Sequence, residues 1–466
     1  MKKVISIISM VLLVVAVFAV FAFGATNDAL ATNDEEYVRY CPPDEKDSKL
    51  LLVLTSGDYK YVVYKGEAIL VGYIGEGGDV VVPSSIEGYP IINIDGAFSD
   101  CLELTSITLP DSVVEIGQYE FSGCTNLTNV TLPNSIVEIG FCAFQDCSKL
   151  TSIIIPDSVT YIEQSAFKKC TSLTSITIPD SVNTIKAEVF YGCSRLESVT
   201  LSKNLKSLGG CLFKECKSLK NVEIPNSVTV IWDSVFENCV SLKEITIPDS
   251  VTNIGYRAFR GCTSLTSIVV PDSVTTLGNG AFSDCTNLEN IVISNSLEKI
   301  SNWAFGVSKK LKSIEIPESV KEIGDFAFSG CKNLETVTIH NSLDYIEIDT
   351  FKNCPLKTID FSGTRAEWES KSYKTDKQFE NVEIVCTCVG EHNYTDENKT
   401  ACKDCDYPKS VETEPVETDN KTPETEKKPT KKQIKISPLM VVAIAEGVII
   451  IGLVVALVIV SKKKKK

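Results

Sequence analysis

The chain has 466 residues, 43% of them hydrophobic and 8% aromatic, so global disorder is excluded and the length suffices for two or three ordinary domains. The formal net charge is −15, and outside residues 1–31 and 438–466 there are 39 basic and 59 acidic residues, a net of −20. That balance excludes nucleic acid as the natural partner, since neutralising phosphates needs a basic face, and it reads most simply as a solubilising surface.

Residues 1–31 read as a secretory signal. Lys2 and Lys3 precede an apolar run over 4–23, and Ala29-Leu30-Ala31 offers a small-x-small cleavage site, with Ala22-Phe23-Gly24 as its rival. The run is long for a signal, so an uncleaved anchor is the alternative; both place the central part of the chain outside the cytoplasm. Residues 32–95 show no fixed period. They hold two alternating runs, 59–70 and 80–83, separated by Gly75, Gly77 and Gly78, and are expected to form hairpin-like strands that cap the end of an array.

From residue 96 the chain repeats every 23 residues. The marker is Phe, at 98, 121, 144, 167, 190, 213, 236, 259, 282, 305, 328 and 351, twelve copies without a slip. A fixed period of this size is the signature of a solenoid, in which each unit buries its apolar face only against its neighbours. Counted from Phe, Cys follows at +3, Leu at +6, Ile or Val at +9, Ile or Leu at +11, Pro at +12 and apolar residues at +15 and +18. In one copy these are Phe144, Cys147, Leu150, Ile153, Ile155, Pro156, Val159 and Ile162. The L-x-x-I-x-I stretch alternates over β-branched residues and stops at Pro, which predicts one short strand per repeat. The G-x-x-A-F segment suits a turn of α- or 3₁₀-helix on the opposite side. The expected fold is therefore an α/β-type solenoid: about twelve repeats, a parallel β-sheet on one face, caps at both ends and one C-terminal transmembrane helix. Strands about 4.8 Å apart would make a stack roughly 55–60 Å long.

The array degrades at specific places. Ser202, Ser294 and His340 replace Pro, and Ser308 replaces the repeating Cys. After Cys354 the frame shortens by one residue, with Leu356 arriving early, and the stretch from Phe361 to Trp368 breaks the pattern, as a C-terminal cap requires. The solenoid with this cap is expected to span 96–384. A Cys/His module (385–407), a disordered Pro-, Thr-, Glu- and Lys-rich linker (408–437), a membrane-spanning helix (438–460) and a Lys tail (461–466) complete the chain. Residues 438–460 carry one charge, Glu446, and the lysines after them place the tail in the cytoplasm and the repeats outside. The localisation expected is a single-pass cell-membrane protein held by 438–460.

The pattern F-x-x-C-x-x-L-x-x-I-x-I-P-x-S-V-x-x-I-G resembles the BspA-type leucine-rich repeats of bacterial and some protist surface proteins, over roughly residues 60–385. Gly57 to Tyr61 and Glu87 to Pro90 resemble that family's N-terminal flank, and Gly363 to Trp368 its degenerate last copy. The resemblance implies a right-handed solenoid and roles in adhesion to host proteins or other cells; it carries over no ligand-contact motif.

Three constellations bear on chemistry. Eleven cysteines (101, 124, 147, 170, 193, 216, 239, 262, 285, 331 and 354) occupy the +3 position. In an exported chain they suggest disulfides, but in-register repeats hold equivalent Cβ atoms about 4.8 Å apart and parallel, whereas a disulfide wants about 3.8 Å and converging vectors. They read as buried free thiols filling the core. Cys386, Cys388, His392, Cys402 and Cys405 form an island. Cys388, His392, Cys402 and Cys405 could hold a structural zinc, and two disulfides are the alternative. Catalysis has little to work with: of the two His, His340 sits in a Pro slot as a surface substitution and His392 belongs to the island, so the chain reads as no enzyme.

The remaining candidate is the outer face of the strand. With +6, +9 and +11 inward, +8 and +10 point out. The binding candidates there are Asn129, Thr131, Asn221, Glu223, Glu244, Thr246, Asn290 and Glu315. The face is hydroxyl and amide with a few carboxylates and lacks the aromatic anchors that dominate hot spots, so sugar stacking on it is not expected. The +1 and +2 positions on the opposite side, including Lys168, Lys169 and Arg260, are a second candidate. The functional expectation is recognition of an extracellular protein or another cell surface. The alternative is a structural spacer or scaffold on the cell surface.

Overall fold

The computed structural model describes residues 36–40 and 49–387. The chain divides into two units, 1–409 and 410–466, and every described residue lies in the first. Expectations for the signal, the linker, the transmembrane segment, the Lys tail and the island from Cys388 onward fall outside the described residues. Among the described residues no helix is long and apolar enough to cross a membrane.

Residues 96–362 form the expected solenoid. The +8 to +10 strands pair in parallel with a register step of 23: Ser106 with Asn129, Ser175 with Ser198, Ser267 with Asn290 and Ser313 with Thr336. The next step is 22, Thr336 with Thr358, as the early Leu356 requires. This first ladder is interrupted where residues 151–155 and 243–247 run without regular strand pairing.

The expectation of one sheet needs correction, because each repeat carries a second strand. The +17 and +18 residues pair in parallel up the stack in a second ladder of three segments: Glu115–Ile116 through Glu138–Ile139 and Tyr161–Ile162 to Thr184–Ile185, then Ser207–Leu208 to Thr276–Leu277, then Lys299–Ile300 to Tyr345–Ile346. Two-residue strands leave no alternating signature in sequence, only the paired apolar positions +15 and +18.

The expected helical turn also gives way to a different structure. The segment around each Phe is two successive β-turns. In one repeat the Ser122 amide donates to the Tyr119 carbonyl (3.0 Å) and the Cys124 amide to Phe121 (3.1 Å). Residues at −2 and +2 lie in the left-handed region, for example Tyr119 (φ 57°) and Gly123 (φ 75°), or Cys142 (φ 54°) and Asp146 (φ 59°). A left-handed residue every fourth position cannot continue a helix. It does turn amides toward the next repeat: those of Tyr119, Phe121 and Gly123 donate to the carbonyls of Phe141, Ala143 and Gln145 at 2.7–2.9 Å. All three sides of the coil are thus hydrogen-bonded along the stack.

The twelve Phe side chains form one continuous column. Neighbouring rings from Phe98 to Phe351 lie 5.0–5.8 Å apart, at interplanar angles of 1–25°. From Phe98 to Phe328 all are fully buried. The column continues into both caps, with Tyr73 5.1 Å from Phe98 and Phe379 6.1 Å from Phe351.

The cysteines stack beside it. Cys124 donates its thiol to the carbonyl of Phe98 in the previous repeat at 2.9 Å, and nine further ladder cysteines repeat the bond at 3.0–3.5 Å. A thiol is a weak donor but is long enough to reach this carbonyl, which explains Cys over Ala or Ser. At Ser308 the shorter hydroxyl is buried without a partner, and Phe282 lacks its donor. The residue before it, Val307, is β-branched at φ 64°.

Serine in the Pro slot is compensated. Ser202 and Ser294 are buried, and their hydroxyls donate to the carbonyls of Val182 and Val274 at 2.6 and 2.7 Å. In four Pro-containing repeats that bond comes from the Ser two places later, as from Ser250 to Val228 (2.6 Å), whereas the hydroxyls of Ser112, Ser158, Ser181 and Ser227 in the same place are buried without a partner.

The N-terminal cap differs from the expected layout. The run 59–70 is itself a hairpin, Tyr59–Tyr64 with Glu67–Tyr73, closed by Lys65 (φ 49°) and Gly66 (φ 86°). Two successive positive φ values are what a tight hairpin turn demands. Gly78–Val81 instead pairs in parallel with the first repeat strand, Leu104–Thr108, as a zeroth rung. At the other end a capping box between Thr364 and Glu367 starts the helix Arg365–Ser370. That helix buries Trp368 against Phe361, Tyr373 and Phe379. The strand Glu383–Cys386 closes the first ladder and buries Cys386. Cys386 therefore belongs to the cap, and the boundary drawn at 384 falls inside its last strand.

The cysteine column makes two behaviours measurable. Burial pushes the thiols of Cys124, Cys193 and Cys285 up to about 12. Cysteines from 124 to 285 in the +3 column should therefore escape alkylation at pH 8 in the native chain and react once it is unfolded, as read by mass spectrometry. Replacing Val307 by Asn and Ser308 by Cys together should raise stability by about 1–3 kcal/mol in urea unfolding, by relieving backbone strain and restoring the thiol bond.

Candidate functional site on the outer faces

The eight predicted binding residues, Asn129, Thr131, Asn221, Glu223, Glu244, Thr246, Asn290 and Glu315, are all exposed on the outer side of the first ladder. The alternation that buries +9 and +11 forces this. The structure does not gather them into one site. Asn221, Glu223, Glu244 and Thr246 sit on adjacent repeats and form one patch. Asn129 and Thr131 lie four repeats before it, Asn290 two repeats after it, and Glu315 one further. Ion pairs beside this face, such as Lys220 with Glu197 (2.6 Å) and Lys357 with Glu335 (2.8 Å), come from the neighbouring +7 row. Among the described residues none of the ion pairs includes Glu223, Glu244 or Glu315, which remain available to a partner. Ile154, Val269 and Val292 are also exposed at +10.

The second candidate is largely self-occupied. Lys168 pairs with Glu188 (2.6 Å) and lies over the Tyr191 ring. Lys214 reaches the same ring and pairs with Glu237 (2.9 Å), which also meets Arg260 (3.2 Å); Arg260 in turn meets Asp284 (3.0 Å). Burial opposes ionisation of Glu237, but Lys214, Ser234 and Arg260 together hold its carboxyl below the usual range. This chain of contacts crosses repeats four to nine and locks their register. Of the three basic residues singled out by position, only Lys169 stays exposed.

A third region was not signalled by the sequence pattern. At the start of the second ladder, Glu115, Glu138 and Glu163 surround a groove of about 330 Å³ with Gln118, Gly140 and Phe141. Burial, then the neighbouring carboxylates Glu115 and Glu163, raises the Glu138 carboxyl, and burial with Asp95 raises Glu115. Beneath them Glu120 occupies a slot that other repeats fill with Ala, Val, Leu or Thr. Fully buried, it accepts from the amides of Gly96 (2.7 Å) and Phe98 (3.2 Å). It thereby substitutes for the backbone carbonyls that serve the later repeats, a capping role. Among the described residues no cluster of His, Cys, Asp or Glu could hold a metal ion. The proposed zinc ligands Cys388, His392, Cys402 and Cys405 lie outside them.

A profile of the BspA type leucine rich repeat region matches residues 93–220, 208–319 and 298–413. The chain belongs to this family. Among solved structures, a leucine rich cell surface protein of Faecalibacterium prausnitzii is 31% identical; the match covers 69% of this chain and 97% of that one, with a TM-score of 0.48. A leucine-rich repeat protein of Bacteroides ovatus is 26% identical over 72% of this chain and 100% of its own, with a TM-score of 0.53. None of the curated proteins matches the chain.

Sequence reasoning also passed over the aromatic side chains at positions −4 to −2, between the second ladder and the Phe turn. Trp232, Tyr256 and Trp303 are exposed there. The signal was present, since these positions elsewhere hold mostly small or polar residues, but nothing in the period says which way they point.

Burial raises the Glu120 carboxyl from 4.5 to about 8, although the amides of Gly96 and Phe98 pull it down. A raised carboxyl favours the folded state fully below 4.5 and loses that contribution as pH rises through 8. Thermal unfolding should therefore show stability falling between pH 5 and pH 9, and Glu120→Gln should flatten that fall.

Proposed function

We propose that this protein is an exported, membrane-tethered recognition protein that binds an extracellular protein or another cell through the outer face of its first ladder. The observation that carries the reading is a division of labour within the repeat. The core positions are nearly invariant and almost all buried, whereas the outward +8 and +10 positions change from copy to copy through Ser, Asn, Thr, Glu, Ile and Val. Core identity is a requirement of stacking; the exposed residues need only suit a strand, so specificity can be written in them. The reading is of binding rather than catalysis. Residues 438–460 would anchor the chain with its repeats outside the cell, and the family resemblance to surface proteins supports that placement. A spacer that presents other components is the second reading, favoured by the long hydroxyl-rich stretches of the same face, such as Ser175, Thr177, Ser198 and Thr200.

The test is binding of host matrix proteins and of other cells to cells displaying the full chain. Recognition predicts saturable binding that falls about tenfold or more when Glu223 and Glu244 are both changed to Lys, with unchanged thermal stability. A spacer predicts no saturable ligand, and no loss of cell phenotype when two internal repeats are deleted.

A further inference from the structure

The chain has three tryptophans, and they are used in two ways. Trp368 is buried in the C-terminal cap, where it packs on three aromatic rings. Trp232 and Trp303 are 52% and 42% exposed, and both lie on the margin between the second ladder and the Phe turns. Tyr256, 41% exposed, stands on the same margin between them. None of the three fills the core, whose column at these levels is already complete with Phe236, Phe259, Phe282 and Phe305. Trp and Tyr are the residue types enriched in binding hot spots, and here three of them stand exposed within four consecutive repeats.

The rings are held in place. Arg257 lies over the Tyr256 ring at 4.6 Å, and Trp303 stacks on Phe326 at 4.6 Å and 17°. The Tyr256 amide donates to the Asp233 carboxylate at 2.8 Å, which fixes the chain between Trp232 and Tyr256. In the two repeats after Trp232 its own position is bare backbone, at Gly255 and Gly278. A Cβ at Gly255 would fall 2.6 Å from the Trp232 carbonyl carbon, and one at Gly278 would fall 2.4 Å from that of Gly255. Side chains are therefore excluded at both positions. Trp232 and Trp303 are three repeats apart, each step being 5.0–5.6 Å in the Phe column. Asn279 is exposed and Asn302 half-buried within that interval.

We infer that this margin is a carbohydrate-binding site for a short neutral oligosaccharide, with Trp232 and Trp303 as stacking platforms and Asn279, Asn302 and Asp233 as hydroxyl partners. This rests on the recognition reading and moves part of it to a second surface. The chemistry favours a sugar over a protein. A pyranose offers an apolar C–H face to a flat ring and a rim of hydroxyls to amides and carboxylates. This surface offers Trp232, Tyr256 and the Trp303–Phe326 pair separated by amides, a carboxylate and glycine backbone, whereas a protein interface core wants contiguous apolar area. The surrounding acidity, net −20 between residues 32 and 437, disfavours acidic sugars.

Because only the exposed tryptophans should respond to a ligand, intrinsic fluorescence reads the site directly. The full chain is titrated with linear neutral gluco-, manno- and N-acetylglucosamine oligomers. The expected result is a saturable blue shift with one class, weakened about tenfold or more in Trp232→Ala and in Trp303→Ala, with unaltered thermal unfolding. Glu223→Lys and Glu244→Lys should leave that affinity unchanged. Absence of a shift with every oligomer overturns the inference, as does binding that survives both tryptophan changes. If a protein ligand nonetheless binds through Glu223 and Glu244, the recognition reading stands while this inference fails; if neither sugar nor protein binds, both fail.

Discussion

Every position in this solenoid must stack on its own copy 23 residues away. A parallel ladder sets the rise, and the Phe rings repeat at 5.0–5.8 Å, close to the spacing that parallel strands impose. Side chains that occupy the same slot in successive repeats are therefore in van der Waals contact. Phe suits this because flat rings can stack nearly parallel in an offset column, and the column then excludes water along its whole length. Cys suits the neighbouring slot for another reason. It is small enough to stack on itself, and its thiol reaches the previous Phe carbonyl, which the paired amides leave with acceptor capacity. The same constraint explains why the frame keeps its phase from Phe98 to Phe351. A one-residue slip in the interior would break three sets of inter-repeat hydrogen bonds at once. It is tolerated only after Cys354, where the cap takes over.

A stack has two open ends, and each leaves groups that the interior satisfies automatically. The direction of the turn-side bonds makes the ends unequal. Amides point toward the following repeat, so the last repeat has donors with nothing to receive them. The cap supplies side chains instead: the Gln378 side-chain carbonyl accepts from the Phe351 amide at 3.0 Å, while the Gln378 amide and the Tyr373 hydroxyl donate to Glu347 and Leu343. At the first repeat, where the chain enters from the hairpin sheet, Glu120 does comparable work with a buried carboxyl. Asp95, Glu115 and Glu138 lie close by with raised carboxyls. The N-terminal end is thus held by an arrangement whose stability depends on protonation, and the C-terminal end by neutral amide and hydroxyl groups.

Much of this is legible in the residues because a strict period removes ambiguity. The Phe and Cys columns, the first ladder, the outward set at +8 and +10, the shortened frame after Cys354 and the breakdown after Phe361 all follow from position alone. The second ladder does not, because a strand of two residues has no alternation to detect. The turn around Phe looks helical in sequence because G-x-x-A-F has helical spacing. Its left-handed residues at −2 and +2 are more often residues such as Tyr119, Cys142, Glu188, Lys169 or Asp284 than Gly, so their identities give no warning. Nor can position alone tell that Cys386 closes a sheet, since it reads as one more cysteine of the island after it.

The candidate surfaces differ in how far the stack constrains them. On the first ladder the exposed residues still belong to strands, which favours Thr, Ser and β-branched side chains and keeps any patch shallow. On the turn side Lys168, Lys214, Glu237 and Arg260 are committed to one another, and their value is register. The margin between the second ladder and the Phe turn obeys neither demand. Its −4 position is Gly at residues 117, 140, 209, 255, 278 and 324, where close backbone approach leaves almost no room, yet it admits Trp232, whose side chain projects clear of the stack. A position that is Gly in six of the twelve copies, Glu, Lys or Ser in four others and Trp in one is not being filled for core packing. The repeat specifies a scaffold of nearly uniform cross-section. The places where a large aromatic side chain appears off the core column, and stays in water, are where selection for something outside the molecule is most directly visible.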